Sequence, residues 1–299
     1  MFFVLSGFLI VTLLLRENET RGAISLRSFY ARRALRIFPL YYGLLLAMAV
    51  ALFFVFPQAR MAEPFFQAMP FYITYTSNWI HDTTSMAITW SLATEEQFYL
   101  LWPLVERFLG GGGVYVILTG LIFVNQPVRF AVVDSFLQEV IGLGRLEILD
   151  ITFTPICLGV ALAHTLHSAR GFAFVARFLG RRYSSLVTLL ALVCALNIPV
   201  HDISGLPRLA IQILMTMLLC CCVLREDHLL AKPLSWRPMR RLGVLSYGMY
   251  LFHMMVRHVA VFLVGFLPLR LDGSLFIVCT LLTIVLAEVS FRYYETPLP

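Results

Sequence analysis

Nine stretches of the chain are apolar for long enough to be read as membrane helices. They lie near residues 1–15, 38–56, 90–109, 114–126, 151–166, 184–200, 208–224, 243–266 and 274–291. A helix needs about 20 such residues, rising about 1.5 Å each, to cross a hydrocarbon layer of about 30 Å. That succession leaves little room for any fold but an all-α, polytopic transmembrane bundle of about nine spans. Composition agrees: 60% of the 299 residues are hydrophobic and 13% are charged, against an apolar share of about 45–50% in soluble domains. No internal repeat and no soluble insertion is visible, so residues 1–299 read as a single transmembrane domain. The run Gly110–Gly113 reads as a tight turn between two spans.

The formal net charge of +6 raises the possibility of nucleic acid as a partner. The basic residues, however, fall in clusters between apolar runs, with no basic domain and no motif that would hold a duplex or stack bases. Membrane orientation accounts for them. If all nine runs cross, seventeen of the 23 Lys and Arg lie in loops 16–37, 106–113, 167–183 and 225–242 and in the tail, and five lie in the opposite loops. Cytoplasmic loops are the ones enriched in Arg and Lys, which places the C-terminus inside and Met1 outside. The six cysteines show no Cys-x-x-Cys and no metal-ligand spacing; all lie in apolar stretches, where Cys acts as a small hydrophobe.

Three stretches carry candidate chemistry. The first is SLRSFYARRALRIFPLYY, residues 25–42. Its Arg27, Arg32, Arg33 and Arg36 serve as an orientation signal that meets anionic lipid, or as an anion pocket. In the second case Arg33 and Arg36, three apart on a helical turn, share a face, and their guanidinium forks can grip phosphates such as those of coenzyme A. The second is ITWSLATEEQFYLLWPLVERFL, residues 88–109, with adjacent Glu95 and Glu96. A carboxylate within a span needs a partner. Glu95, Tyr99 and Trp102 share one stripe at i, i+4 and i+7, while Glu96 points away. The bland alternative is a wet helix end with Trp90 and Trp102 as belt residues.

The third stretch is LSYGMYLFHMMVRHV, residues 245–259, where Ser246, Tyr250, His253 and Arg257 form a polar stripe on an apolar helix. Such a stripe faces protein or water rather than lipid. A lone buried His is often only structural. Arg257 is expected to answer an acidic partner, Glu95 or Glu96.

Together these residues resemble the integral-membrane acyltransferases of the acyltransferase-3 type. The matching pieces are FFVLSGFLI at 2–10, FYARRALRIFPLYY at 29–42, WSLATEEQFYLLWPL at 90–104, LSYGMYLFH at 245–253 and FRYYETPLP at 291–299. The resemblance implies transfer of an acyl group, usually acetyl, from cytoplasmic acyl-CoA to a hydroxyl of a cell-surface carbohydrate or other small acceptor. It implies no permanently bound cofactor and no metal, and a place in a bacterial inner membrane. The family's Arg-x-x-Arg motif falls on Arg33 and Arg36, its Trp-Ser-Leu-x-x-Glu motif on Trp90 to Glu95, and its Tyr-Leu-x-His motif on Tyr250 and His253. Glu95 and His253 are then the catalytic candidates and Arg32, Arg33 and Arg36 the donor-binding ones, with Trp90, Tyr99, Tyr250 and Arg257 in support.

Attack of a sugar hydroxyl on a thioester needs a positioned base and donors for the oxyanion, and Tyr250 or an Arg is a candidate donor. Family members normally carry one more helix, with an Arg and a His thought to act as base, before FFVLSGFLI, making ten spans. The chain is therefore expected to start after that helix and, as written, to have little transferase activity, with more in a form extended upstream. Two other readings stay open: a transporter or flippase of a glycan or acyl group, which nine spans without inverted halves disfavour, and an inactive remnant.

Overall fold

The computed structural model describes residues 1–80, 84–125, 153–198, 205–265 and 273–295, and every regular element among them is helical. In chain order these are α1 (Phe2–Arg21), α2 (Leu26–Val50), continued by a π-helical turn Ala51–Val55, α3 (Ala62–Ile73), a 3₁₀ turn Ser77–Trp79, α4 (Thr89–Phe108) and α5 (Gly110–Asn125). There follow α6 (Thr154–His167), α7 (Ala169–Leu179), α8 (Ser184–Leu196), α9 (Gly205–Leu224), α10 (Ala231–Ser235), α11 (Arg237–Gly265) and α12 (Ser274–Ser290), which runs into a second π-helical turn Phe291–Glu295.

The all-helical class holds. Among the described residues three helices are long and apolar enough to cross a membrane, Leu26–Val55, Leu206–Leu224 and Ser274–Glu295. The pair α7 and α8, bent by 71°, makes a fourth if it counts as one span. Length and apolarity therefore do not by themselves confirm nine crossings. Charge interrupts α1 at Arg16 and Glu17, α4 at Glu95, Glu96 and Glu106, and α11 at Arg257. The loop predicted at 127–150 lies outside the described residues.

Two other expectations change. Gly110–Gly113 is not the turn: α5 begins at Gly110, and the break from α4 is Leu109 alone. The first turn of a helix has no intrahelical partner for its N–H groups, so glycine costs little order there. The Arg-rich segment expected as a loop is largely helical, since α2 starts at Leu26 and carries Arg27 to Arg36 on its first turns. Its interior Pro39 removes one backbone donor without ending the helix.

The chain forms two compact units, Met1–Leu26 with Thr94–Leu234, and Arg27–Ala93 with Ser235–Pro299. In the first, α1 and α6 cross at two glycines. A Cβ on Gly159 would lie 2.1 Å from the Val4 carbonyl oxygen, and one on Gly7 would lie 2.3 Å from that of Ile156. Only glycine at both places lets the two backbones touch, the small-residue packing that holds helices together where burial from water cannot. Val4, Val11, Leu14, Ile156 and Val160 are buried around the crossing.

The second unit is pinned by tyrosines. Tyr41 donates to the Tyr72 carbonyl at 2.9 Å and stacks on Tyr75 with ring centroids 4.5 Å apart, and Tyr42 donates to the Ile73 carbonyl at 2.8 Å. On its other side Arg241 of α11 grips Glu288 of α12 through two bonds of 2.8 and 2.7 Å. Tyr294 donates to the Pro39 carbonyl at 2.9 Å and lies so close over Gly43 that a Cβ there would fall 2.8 Å from its hydroxyl.

Candidate functional site

A cavity of about 600 Å³ lies within the second unit between the start of α2, α11 and the turn Phe291–Glu295. Arg32 and Arg36, one helical turn apart, supply its positive charge; Glu295, Tyr247 and Phe291 line it from the other elements. Leu35, Pro39, Leu40 and Val244 make the rest of the wall apolar. Sequence reasoning paired Arg36 with Arg33. The cavity instead takes Arg36 with Arg32, whose spacing of four turns the two side chains about 40° apart around the axis, against about 60° for a spacing of three. Arg33 sits half-buried on the same helix. Tyr247 donates to the Ile37 carbonyl at 2.9 Å, tying α11 to α2 beside the cavity.

Farther along α11, Tyr250 donates to the Ile88 carbonyl and lies 2.6 Å from Ser91 Oγ. A carbonyl only accepts, so the one phenolic proton of Tyr250 goes to Ile88, and Ser91 is the donor to Tyr250. That commits Tyr250 to holding the Trp-Ser-Leu segment, beside the exposed Trp90. His253 is half-buried, with Nδ1 2.7 Å from the Tyr250 carbonyl oxygen. By the same logic Nδ1 carries a proton, and Nε2 is the ring nitrogen able to accept one whenever the imidazole is neutral. Ser246 folds back on the Gly243 carbonyl at 2.8 Å, and Arg257 is exposed on the same helix.

In the first unit Glu95 is 2% exposed, and Tyr99 donates to its Oε2 at 2.9 Å. Ser6 of α1 hydrogen-bonds the same phenol. The stripe of Glu95, Tyr99 and Trp102 is buried along its length, while Glu96 is half-buried. One turn beyond it lies a group that sequence reasoning passed over. Trp102 Nε1 donates to Glu106 Oε1 at 2.8 Å, and His164 Nε2 of α6 lies 2.8 Å from the same oxygen. Both ionisable side chains are buried, and the Tyr115 ring sits 5.6 Å from that of His164. The signal was present in α4, because Glu95, Tyr99, Trp102 and Glu106 continue one i, i+4, i+7, i+11 series.

Helices long and apolar enough to cross a bilayer, a basic cavity and carboxylate and imidazole groups inside the fold define an integral membrane protein equipped for polar chemistry. Residues 1–291 match the family described as an acyltransferase domain, and the chain belongs to that family. It is 26% identical over 332 residues to the peptidoglycan O-acetyltransferase OatA of Listeria monocytogenes serovar 1/2a, covering 99% of this chain and 50% of that protein. It is 29% identical over 330 residues to the O-acetyltransferase OatA of Staphylococcus aureus strain NCTC 8325, covering 99% and 51%. With the putative peptidoglycan O-acetyltransferase YrhL of Bacillus subtilis strain 168 it shares 25% identity over 348 residues, covering 99% and 49%. The chain spans about half the length of the curated relatives it matches. No solved structure matches it.

Proposed function

We propose that the protein transfers an acetyl group from acetyl-CoA to a hydroxyl of a cell-wall carbohydrate of the peptidoglycan type. The observation that carries this is the cavity bearing Arg32 and Arg36 in a chain whose relatives are named O-acetyltransferases. Two guanidiniums one turn apart suit the phosphates of coenzyme A, with Arg33 beside them on α2. In this reading the protein works in a bacterial inner membrane, and the excess of arginine in one alternating set of segments supports a cytoplasmic side for the cavity and the C-terminus, where the donor is made.

In the transfer itself the acceptor oxygen bonds to the thioester carbonyl carbon while its proton passes to a base. The tetrahedral oxyanion then collapses, and the coenzyme leaves as a thiolate that is reprotonated. His253, with Nε2 as acceptor, and Glu95, whose carboxylate Tyr99 holds at 2.9 Å, are the groups of this chain suited to take or steer that proton. Tyr250 and Ser91 position, and Trp90 and Arg257 support the same region of chain.

The test measures labelled acetyl-CoA binding and acetyl-ester formation on glycan fragments, in whichever transfers more, the chain as written or a form extended upstream. Arg36→Ala is expected to weaken donor binding about tenfold or more, an arginine–phosphate contact being charge-assisted. Glu95→Gln is expected to leave binding in place and to slow transfer at least about a hundredfold, the scale of a lost acid–base group. Wild-type donor affinity in Arg36→Ala together with wild-type transfer in Glu95→Gln would end the proposal.

A further inference from the structure

α7 takes no part in the transfer chemistry, yet its two faces differ sharply. Its 11 residues, Ala169–Leu179, include none that is buried. They cover about 16 Å, roughly half of a hydrocarbon layer of about 30 Å. Successive residues turn about 100° around the axis, so Phe174, Phe178, Val175, Leu179 and Phe172 fall in one arc of about 160°, and Arg170 and Arg177 lie about 20° apart outside it. Phe172, Phe174 and Phe178 are all exposed, Phe174 by 66%, and the rings of Phe174 and Phe178 lie 5.4 Å apart. A helix segregated in this way is built to meet an interface between water and an apolar medium.

Both ends of α7 are tied to places where longer helices turn polar. At its start, His167 Nε2 lies 3.2 Å from Glu19 Oε1, in the segment 16–21 where α1 changes from apolar to charged. At its end, Arg225 donates to the Gly180 carbonyl at 3.2 Å and the Leu229 N–H to the Arg182 carbonyl at 3.3 Å, directly after the apolar helix Leu206–Leu224 stops. A helix whose two ends both meet a polar boundary runs along it and not across it. The 71° bend between α7 and α8 agrees, since α8 leaves that boundary as an apolar helix.

Charge then selects the surface. Arg170, Arg177, Arg181 and Arg182 are all exposed, and the sequence has no Asp or Glu between Asp150 and Asp202. Asp227, whose charge Arg182 also meets, is already held by Arg225 through two bonds of 2.7 Å. Phenylalanines set just below the headgroups, with long arginine side chains reaching up to the phosphates, match an anionic bilayer surface.

We propose that α7 lies in the membrane surface and binds anionic phospholipid, with Phe172, Phe174 and Phe178 at the acyl-chain boundary and Arg170, Arg177, Arg181 and Arg182 on the headgroup phosphates. Neither the donor site nor acetyl transfer enters into this assignment.

Phe174→Trp puts an indole on the apolar arc. In the full chain reconstituted in bilayers, its emission is read after subtracting that of the unaltered protein. The quenchers are phosphatidylglycerol and phosphatidylcholine, each brominated near the headgroup or deep in the chain, and aqueous iodide. Shallow bromine is expected to quench most and iodide little. Phosphatidylglycerol is expected to associate at the indole at least about threefold more strongly than phosphatidylcholine, since each arginine near the surface attracts anionic lipid. That preference is expected to fall to within about 1.5-fold in about 1 M salt, which screens exposed charges. It falls likewise when Arg170→Gln, Arg177→Gln, Arg181→Gln and Arg182→Gln are combined. Strongest quenching by deep bromine shows that α7 crosses the bilayer, dominant quenching by iodide that it stands in water, and shielding from both that protein covers it; each of these overturns the inference. Equal association of the two lipids, which needs no arginine variant, overturns it too, as does a preference that survives both salt and the arginine substitutions.

Discussion

Glu106 and His164 show what a single ionisable pair does inside an apolar helix bundle. One carboxylate oxygen accepts from both the Trp102 indole and the His164 imidazole, each at 2.8 Å, so removing either partner leaves a buried acceptor short of a donor. His164→Leu is expected to cost about 3 kcal/mol, because it strands a carboxylate in a desolvated place. Glu106→Leu strands N–H donors instead and costs about 1–3 kcal/mol. The double variant should recover part of the sum, and unfolding of all four proteins in detergent measures the coupling; strict additivity would show that the contact carries no energy. This pair was legible only in half. Glu106 extends the helical series that starts at Glu95, but nothing along the chain joins residue 106 to residue 164, since that contact is made by packing of α4 and α6. The same limit holds at Arg36, whose partners Tyr247 and Glu295 are more than two hundred residues away in sequence.

Helices were legible wherever hydropathy alone decides them. Their ends and their polar members were not. α3 lies between two of the nine apolar runs and holds Pro64 and Pro70, yet its Phe65 and Tyr72 are fully buried. α7 lies within the segment 167–183 expected as a loop, yet it is helical, and Ser168 caps it through the Gly171 N–H at 3.0 Å. What hydropathy cannot show at all is how closely two helices approach, and there the glycines decide. Gly159→Ala is expected to push α1 from α6, since no Cβ fits 2.1 Å from the Val4 carbonyl oxygen, and to cost several kcal/mol by the measure of a strained, overpacked core. Gly120→Ala in α5 is the control. Nothing lies within 4 Å of its Cβ, so the better helix former is expected to be neutral or to stabilise by up to about 1 kcal/mol. Thermal unfolding of the two variants in one detergent compares them, and equal melting would show that the crossing is not tightly packed.

Charge acts on the chain as a whole. A net +6 spread evenly would orient nothing, whereas, if all nine apolar runs cross, seventeen of 23 basic residues fall in one alternating set of segments and bias insertion strongly. The consequence reaches the chemistry because Arg32, Arg36 and Glu295 line a single cavity, and Glu295 stands four residues from the end of the 299-residue chain. A reporter fused at the C-terminus therefore reads the side of the membrane on which that cavity lies. Alkaline phosphatase fused after Gln58 is expected to be active and fused after Pro299 inactive, with green fluorescent protein giving the converse pattern at the same two sites. Acyl-CoA is a cytoplasmic metabolite too polar to cross a bilayer unaided. A C-terminus found outside would put the arginine cavity where no acyl-CoA reaches it, and the donor would then have to be sought on the other side of the fold. Under the proposed function, a C-terminus found inside leaves the acyl group, rather than the coenzyme, as the part that would travel toward an extracytoplasmic acceptor.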